Sequence, residues 1–312
     1  MWQHNNEEPY DLSNLPTVPG VNVVSPCWYD IASQYGQVNN KSVEGYTNKA
    51  HAKGYKVWAL ITSSFDHTLF HNVLSDYHAR RFVIEQMVEE ADKHKLDGFN
   101  LDFENIRDED KNNLTVFVKE ITTALKKKNL TVSMDITVPS GEPFWSNCYD
   151  RKALGETLDY VMLMAYDEYT PAMGTPGPTA GLNWVENKLK DTLVNIPREK
   201  LVLGMPLYMR IWDKDLSTGR TKGKTLSMLE AQKIIAEKGI LPTWKTAPLL
   251  SEGLLRCSYE EDNHQYTFWL EDSTSIKLKV NLINKYNLAG AASWRKGFET
   301  EDVWPVIYEA TK

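Results

Sequence analysis

Short apolar runs alternate along this chain with stretches whose apolar residues recur every three to four positions. Residues 21–26, 55–62, 97–104, 130–138, 158–165, 201–207 and 288–294 read as strands. Between them lie helical stripes, such as Ala79, Val83, Met87 and Ala91 with Ile84 and Val88, for which Ser75 is the expected N-cap. Leu114, Phe117, Val118, Ile121 and Leu125 form another stripe, and residues 184–193 a third helix. Strand–helix repeats imply parallel strands joined by crossovers. Seven strands, plus a stub at residues 1–4, predict a (β/α)8 TIM barrel with its active site at the C-terminal strand ends. An open doubly wound sheet is the alternative, but no Gly-rich phosphate loop follows an early strand.

The pattern breaks between residues 211 and 272. There Ser227 and Glu230 form a capping box, the helix it opens stops at Gly239, and strand-like pieces end at residues 266–270. We read this as a small α+β insertion after strand seven, forming a wall above the barrel, within one catalytic domain spanning residues 1–312.

One strand carries the chemistry. In Asp97-Gly98-Phe99-Asn100-Leu101-Asp102-Phe103-Glu104, alternation sends Phe99, Leu101 and Phe103 to one face and Asn100, Asp102 and Glu104 to the other. A strand covered on both sides is normally apolar throughout. Burying carboxylates is unfavourable unless they are paired or protonated, so this face points to catalysis. An ionised Asp102 beneath Glu104 would hold a proton on Glu104, which suits a general acid.

Composition narrows the partners. The chain has 312 residues, 42% of them hydrophobic, with a net charge of −7. No basic cluster exceeds Lys126-Lys127-Lys128, which argues against nucleic acid. No apolar run approaches the ~20 residues of a membrane span, and the N-terminus does not read as a signal peptide. Cys27, Cys148 and Cys257 have no metal-site spacing and form no disulfide framework. His67 and His71, four apart, read as a solvated helix face rather than a metal pair.

These segments together resemble glycoside hydrolase family 18, the chitinases and related N-acetylglucosaminidases. Asp97-Gly98-x-x-x-Asp102-x-Glu104 is similar to the family's signature strand, and Met164-Ala165-Tyr166-Asp167 to its strand-six segment. Residues 204–210 and 290–294 resemble its seventh and last strands. Residues 22–26, 56–60 and 166–168, with Pro176-Gly177-Pro178, resemble the branch of spore-cortex and cell-wall lytic enzymes.

The resemblance implies a retaining enzyme without a protein nucleophile or cofactor, cleaving β-1,4 bonds at N-acetylglucosamine in peptidoglycan or chitin-type polysaccharide. Glu104 would be the acid, Asp102 would hold the acetamido N–H, and Tyr166 would orient the acetamido oxygen. Trp294 would form the sugar floor, while Asn100, Asp167, Tyr208, Arg210, Met164 and Trp28 would line the site. The resemblance also implies a monomer acting outside the cell, at a cell wall or spore.

Where many chitinases have an aspartate, this chain has Asn100, expected to keep Asp102 ionised through its amide. Three tryptophans near strand ends, Trp28, Trp145 and Trp212, could stack on sugars or lie in the core. Two other classes compete: a silent lectin on the same barrel, and a glycosidase with a carboxylate nucleophile such as Asp135 or Asp167.

Overall fold

A computed structural model describes residues 1–4, 12, 17–241 and 253–311. The chain divides into two compact units, Met1–Met164 with Asp191–Val202, and Ala165–Lys190 with Leu203–Lys312.

The first unit is built on a parallel sheet of β1 (Trp2–Gln3), β2 (Val23–Ile31), β4 (Lys56–Thr62), β5 (Gly98–Asp102), β6 (Thr131–Thr137) and β7 (Tyr160–Met164), adjacent in that order. A short β3 (Val38–Asn40) pairs antiparallel with β2. The terminal stub is thus a strand in its own right, in parallel register with β2 through Trp2 and Ser25. Helices α1 (Tyr46–Ala52), α2 (His67–Ser75), α3 (Tyr77–His94), α4 (Lys111–Lys126) and α5 (Arg151–Thr157) make the crossovers.

All five apolar residues named on α4 are buried, as are Ala79, Val83, Ile84, Met87 and Ala91 on α3, while Val88 of the expected stripe is only half-buried. The cap of α3 differs. Asp76, extended between α2 and α3, accepts from the His78 amide at 2.8 Å, and Ser75 ends the preceding helix. A carboxylate beside an oxygen-bearing serine gave two candidate caps, and the residue with the extended backbone took the role.

The phenylalanines of the signature strand face the helices. Phe99 lies 5.9 Å from the Tyr29 ring, while Phe103 packs against Phe70 of α2 at 4.9 Å and Phe117 of α4 at 5.6 Å. Gly98 is required by a close approach. A Cβ there would stand 2.3 Å from the Thr131 carbonyl oxygen and 2.9 Å from Trp58 Cδ1.

The second unit contains most of α6 (Leu182–Leu193) and of β8 (Leu201–Pro206), which lies beside β13 (Gly290–Trp294). A separate antiparallel sheet holds β9 (Tyr208–Asp215), β10 (Thr221–Ser227), β11 (Leu255–Glu261) and β12 (His264–Leu270), in the order β10-β9-β12-β11. This α+β segment starts at Tyr208, slightly before the expected residue 211, and part of it falls outside the described residues. Its helix α7 (Met228–Lys238) carries the Ser227–Glu230 capping box and ends at Gly239, φ 59°. Helices α8 (Ser273–Tyr286) and α9 (Val303–Ala310) complete the unit. The strand–helix order is that of a (β/α)8 barrel.

Candidate active site

In the first unit, the inner face of β5 meets the inner face of β6. Their parallel register pairs Asn100 with Ser133 and Leu101 with Met134, so the next cross-strand neighbours are Asp102 and Asp135. All four polar residues of these pairs are buried, with Asn100 and Asp135 each 1% exposed and Asp102 7%. Ser133 Oγ donates to Asn100 Oδ1 at 2.6 Å, and Asn100 Nδ2 donates to Asp135 Oδ2 at 2.6 Å.

The expectation for Asn100 is therefore corrected. Its observed amide bond goes diagonally across to Asp135, two residues beyond its registered partner Ser133 on β6, and not up to Asp102. Fully buried within this network, Asn100 serves the strands rather than a sugar.

Burial pushes the Asp102 carboxyl up to about 7, against a hydrogen bond with Glu104 that lowers it. Asp135 is likewise held well above the usual carboxylate range, first by burial and then by the Asp102 charge. Oδ1 of Asp102 and Oδ1 of Asp135 are both buried without a hydrogen-bond partner.

Glu104 stands just beyond β5, partly exposed. Its backbone is fastened on both sides: Ser63 Oγ donates to its carbonyl at 2.9 Å and accepts from its N–H at 3.2 Å. The following residue, Asn105, has φ 53° and donates from Nδ2 to the Phe65 carbonyl at 2.7 Å. Phe65 and Ser64, in the loop after β4, also have positive φ, at 56° and 59°. A bulky residue in the left-handed region is strained and persists only where its surroundings hold it. Here Ser64 Oγ bonds the Ile31 carbonyl at 2.7 Å. The Tyr149 hydroxyl reaches the Phe103 carbonyl at 2.8 Å, between Asp102 and Glu104 in sequence, and burial raises the Tyr149 phenol well above its usual range.

In the second unit the segment after β7 supplies Tyr166 and Asp167. Asp167 has φ 60° and accepts from the Tyr208 hydroxyl at 2.8 Å and Arg210 Nη2 at 2.7 Å. The Arg210 guanidinium also lies over the Tyr208 ring, 5.0 Å from its centroid, and the Tyr166 and Tyr208 rings meet edge-on at 6.2 Å. Glu168 anchors the same segment by accepting from the Gly181 amide at 2.8 Å. Tyr166, Asp167, Tyr208 and Arg210 thus form one cluster. Trp294, half-buried at the end of β13, accepts at its carbonyl from the Leu207 N–H. Met164 is 9% exposed at the end of β7.

Of the candidate stacking tryptophans, Trp28 is corrected to a core residue. It is 1% exposed, wedged against Tyr46 at 5.0 Å and His94 at 5.8 Å, on the side of β2 that faces the helices. Trp212 is equally buried and donates to the Gly177 carbonyl at 2.9 Å. Trp145 is 43% exposed. His71 does not sit on a solvated face, since its Nδ1 pairs with the buried Asp110 at 2.9 Å. Among the described residues no three His, Cys, Asp or Glu side chains are grouped to hold a metal ion. An open hollow of about 450 Å³, lined by Lys126, Leu130, Asp159 and Glu199, lies at the opposite, N-terminal ends of β6 and β7, away from the carboxylates.

Sequence reasoning missed Asp135 as a partner of the acidic strand, and missed Tyr149. The sequence showed Asp135 only as a carboxylate within the next strand; the register of β5 with β6 is what brings Asp102 and Asp135 side by side.

A family model described as glycosyl hydrolases family 18 matches residues 12–298. A glycosylase of Bacillus subtilis, YvbX, is 28% identical over 290 residues, covering 89% of this chain and 81% of its own. The cortical fragment-lytic enzyme of the same organism is 25% identical over 255 residues, 80% of this chain and 57% of its own, so this chain spans little more than half of that relative. A crystal structure of a chitinase from Chromobacterium violaceum superposes with a TM-score of 0.81 at 25% identity, covering 93% of this chain and 91% of that one.

Proposed function

Because the chain belongs to glycosyl hydrolase family 18, we propose that it is a retaining glycosidase cleaving β-1,4 bonds at N-acetylglucosamine by substrate-assisted catalysis. The observation that carries the reading is the buried Asp102 carboxyl, hydrogen-bonded to Glu104 at the C-terminal end of β5.

Glu104, holding its proton against Asp102, protonates the glycosidic oxygen as the bond to the anomeric carbon breaks. The acetamido oxygen of the same sugar attacks that carbon and closes an oxazolinium ring. Asp102 accepts the acetamido N–H and stabilises the positive charge that develops. Tyr166 donates its hydroxyl to the acetamido oxygen, fixing the nucleophile's position and raising its effective concentration. Water then opens the ring, with Glu104 taking its proton, and retention follows from the two inversions. Trp294 serves as the apolar floor beneath the reacting sugar, and the Asp167–Tyr208–Arg210 cluster binds its polar edge.

The substrate we favour is cell-wall or spore-cortex peptidoglycan, with chitin oligomers as the second choice. Likeness to a cortical fragment-lytic enzyme supports this order. We propose that it acts as a monomer at the cell wall or spore. Among the described residues no helix is long and apolar enough to cross a membrane.

Digestion of purified peptidoglycan, cortex fragments and chitin oligomers, with mass spectrometry of the new reducing ends, tests the assignment. Glu104→Gln is expected to abolish cleavage while retaining glycan binding, and a thiazoline mimic of the oxazolinium ion should inhibit the unaltered enzyme. Cleavage that survives Glu104→Gln removes Glu104 as the acid. Binding without cleavage by the unaltered chain makes it a lectin. Asp135 is poorly suited to be a nucleophile, since it is buried and burial favours its protonated form.

A further inference from the structure

We propose that Asp135, reaching Asp102 from the neighbouring strand, takes the place of the aspartate that this chain lacks at position 100, and shares one proton with Asp102. The inference deepens the hydrolase reading above and rests on it for its catalytic consequence.

The geometry sets the terms. Asp102 and Asp135 are successive inward residues on adjacent parallel strands, one step beyond the registered pair Leu101 and Met134. Each has a buried Oδ1 with no hydrogen-bond partner. Two unpartnered carboxylate oxygens facing a water-poor interior are costly in the doubly ionised state. A single proton held between the two carboxyl groups satisfies both oxygens at once.

Asn100 fixes where that proton resides. Its Nδ2 is committed to Asp135 Oδ2 and its Oδ1 to the Ser133 hydroxyl, leaving Asp135 Oδ1 to carry the hydrogen. Asp135 then donates to Asp102, Asp102 remains the acceptor, and Glu104 donates to Asp102 from above. During the reaction the Glu104 proton goes to the leaving sugar, while the shared proton stays with the Asp102–Asp135 pair. That lets Asp102 meet the substrate's acetamido N–H as an anion without leaving two buried negative charges.

Other ionisable groups face this pair. Glu104 stands beyond β5, and Tyr149, which precedes α5, feels the charges of both Glu104 and Asp102. From β1 come the indole of Trp2, which bonds Asp135, and the Met1 amino group, whose charge acts on Asp135. Asn100 and Ser133 complete the neighbourhood without titrating. Asp135 is thus a positioning residue, acting on substrate through Asp102.

Three proteins test this: the unaltered chain, Asp135→Asn, and the swap Asn100→Asp with Asp135→Asn, which returns the carboxylate to β5. Aspartate carboxyl ¹³C titration should show two coupled steps in the unaltered chain, one step in Asp135→Asn, and two again in the swap. On the preferred glycan, Asp135→Asn should lower kcat roughly tenfold or more, a share of the ~10²–10⁴-fold that positioned acid–base groups supply. It should also displace the kcat pH profile with little change in KM, and the swap should recover kcat. An Asp102 titration and pH profile that are the same with and without Asp135 would overturn the proposal, as would a swap no better than Asp135→Asn. If the unaltered chain cleaves no glycan, the hydrolase reading fails, and the carboxyl titration alone decides whether the proton is shared.

Discussion

At the level of single residues, Gly98 and Tyr149 show how the acidic strand is held. The glycine beside Asp97 is demanded by packing, since any Cβ would press on the Thr131 carbonyl, a backbone atom that cannot rotate away. We expect Gly98→Ala to destabilise by about 1–3 kcal/mol, the range for overpacking a tight interior. A shifted urea midpoint at unchanged slope would register it, and an unshifted midpoint would show that the strands separate freely. Tyr149→Phe removes the donor to the Phe103 carbonyl. The buried carbonyl then loses its partner, with an expected loss of ~1–3 kcal/mol, and Glu104 should lose some of its fixed position. A drop in kcat beyond the stability effect, measured well below the melting temperature, would reveal the second part. The inward face of residues 100, 102 and 104 was legible because alternation needs only the strand itself. Asp135 was not, because its importance depends on how a second strand lines up beside the first.

At the level of elements, long amphipathic helices were readable and short ones were not. The stripes of α3 and α4 span several turns and bury five or more side chains each, so their periodicity stands out. Helix α5 has seven residues and includes Gly155, giving the pattern too little length to register. The link from β12 to α8 hides a different feature. Glu271 and Lys279 are both essentially unexposed, with Lys279 Nζ at 2.8 and 2.9 Å from the two carboxylate oxygens and Ser275 Oγ at 2.6 Å. Composition cannot show that two charges will be buried together, because each looks like an ordinary surface residue. We expect Lys279→Met alone to cost roughly 3–5 kcal/mol by stranding the buried Glu271 carboxylate. The double change Glu271→Leu with Lys279→Met should recover much of that loss. Thermal unfolding of the single and double variants checks this; additive losses would mean that the two charges do not depend on each other.

For the whole molecule, the same acidic strand that suggests an activity also shapes stability against pH. Asp102 and Asp135 are raised by burial, so the native pair still holds a proton at pH values where the unfolded chain, with carboxylates near their usual ~3.9, has released both. In that interval the unfolded state binds fewer protons, and stability declines as pH rises from about 4 through neutrality. Glu186 acts in the opposite direction. Hydrogen bonds from Lys285 and Tyr286 hold it at about 2, so its contribution is present above its ordinary range and disappears as pH falls toward 2. The opposing slopes place the melting maximum in mildly acid solution, near the lower edge of the Asp102–Asp135 interval. Replacing both aspartates by asparagine removes the descending arm, so the melting temperature of Asp102→Asn with Asp135→Asn should change little between pH 5 and 8, while that of the unaltered chain falls. Glu186→Gln should leave this arm intact and flatten only the acid side. Equal slopes between pH 5 and 8 for the double variant and the unaltered chain would mean that the two aspartates ionise as freely in the folded protein as in the unfolded one, and the electrostatic tension assigned to the acidic strand would have no thermodynamic trace.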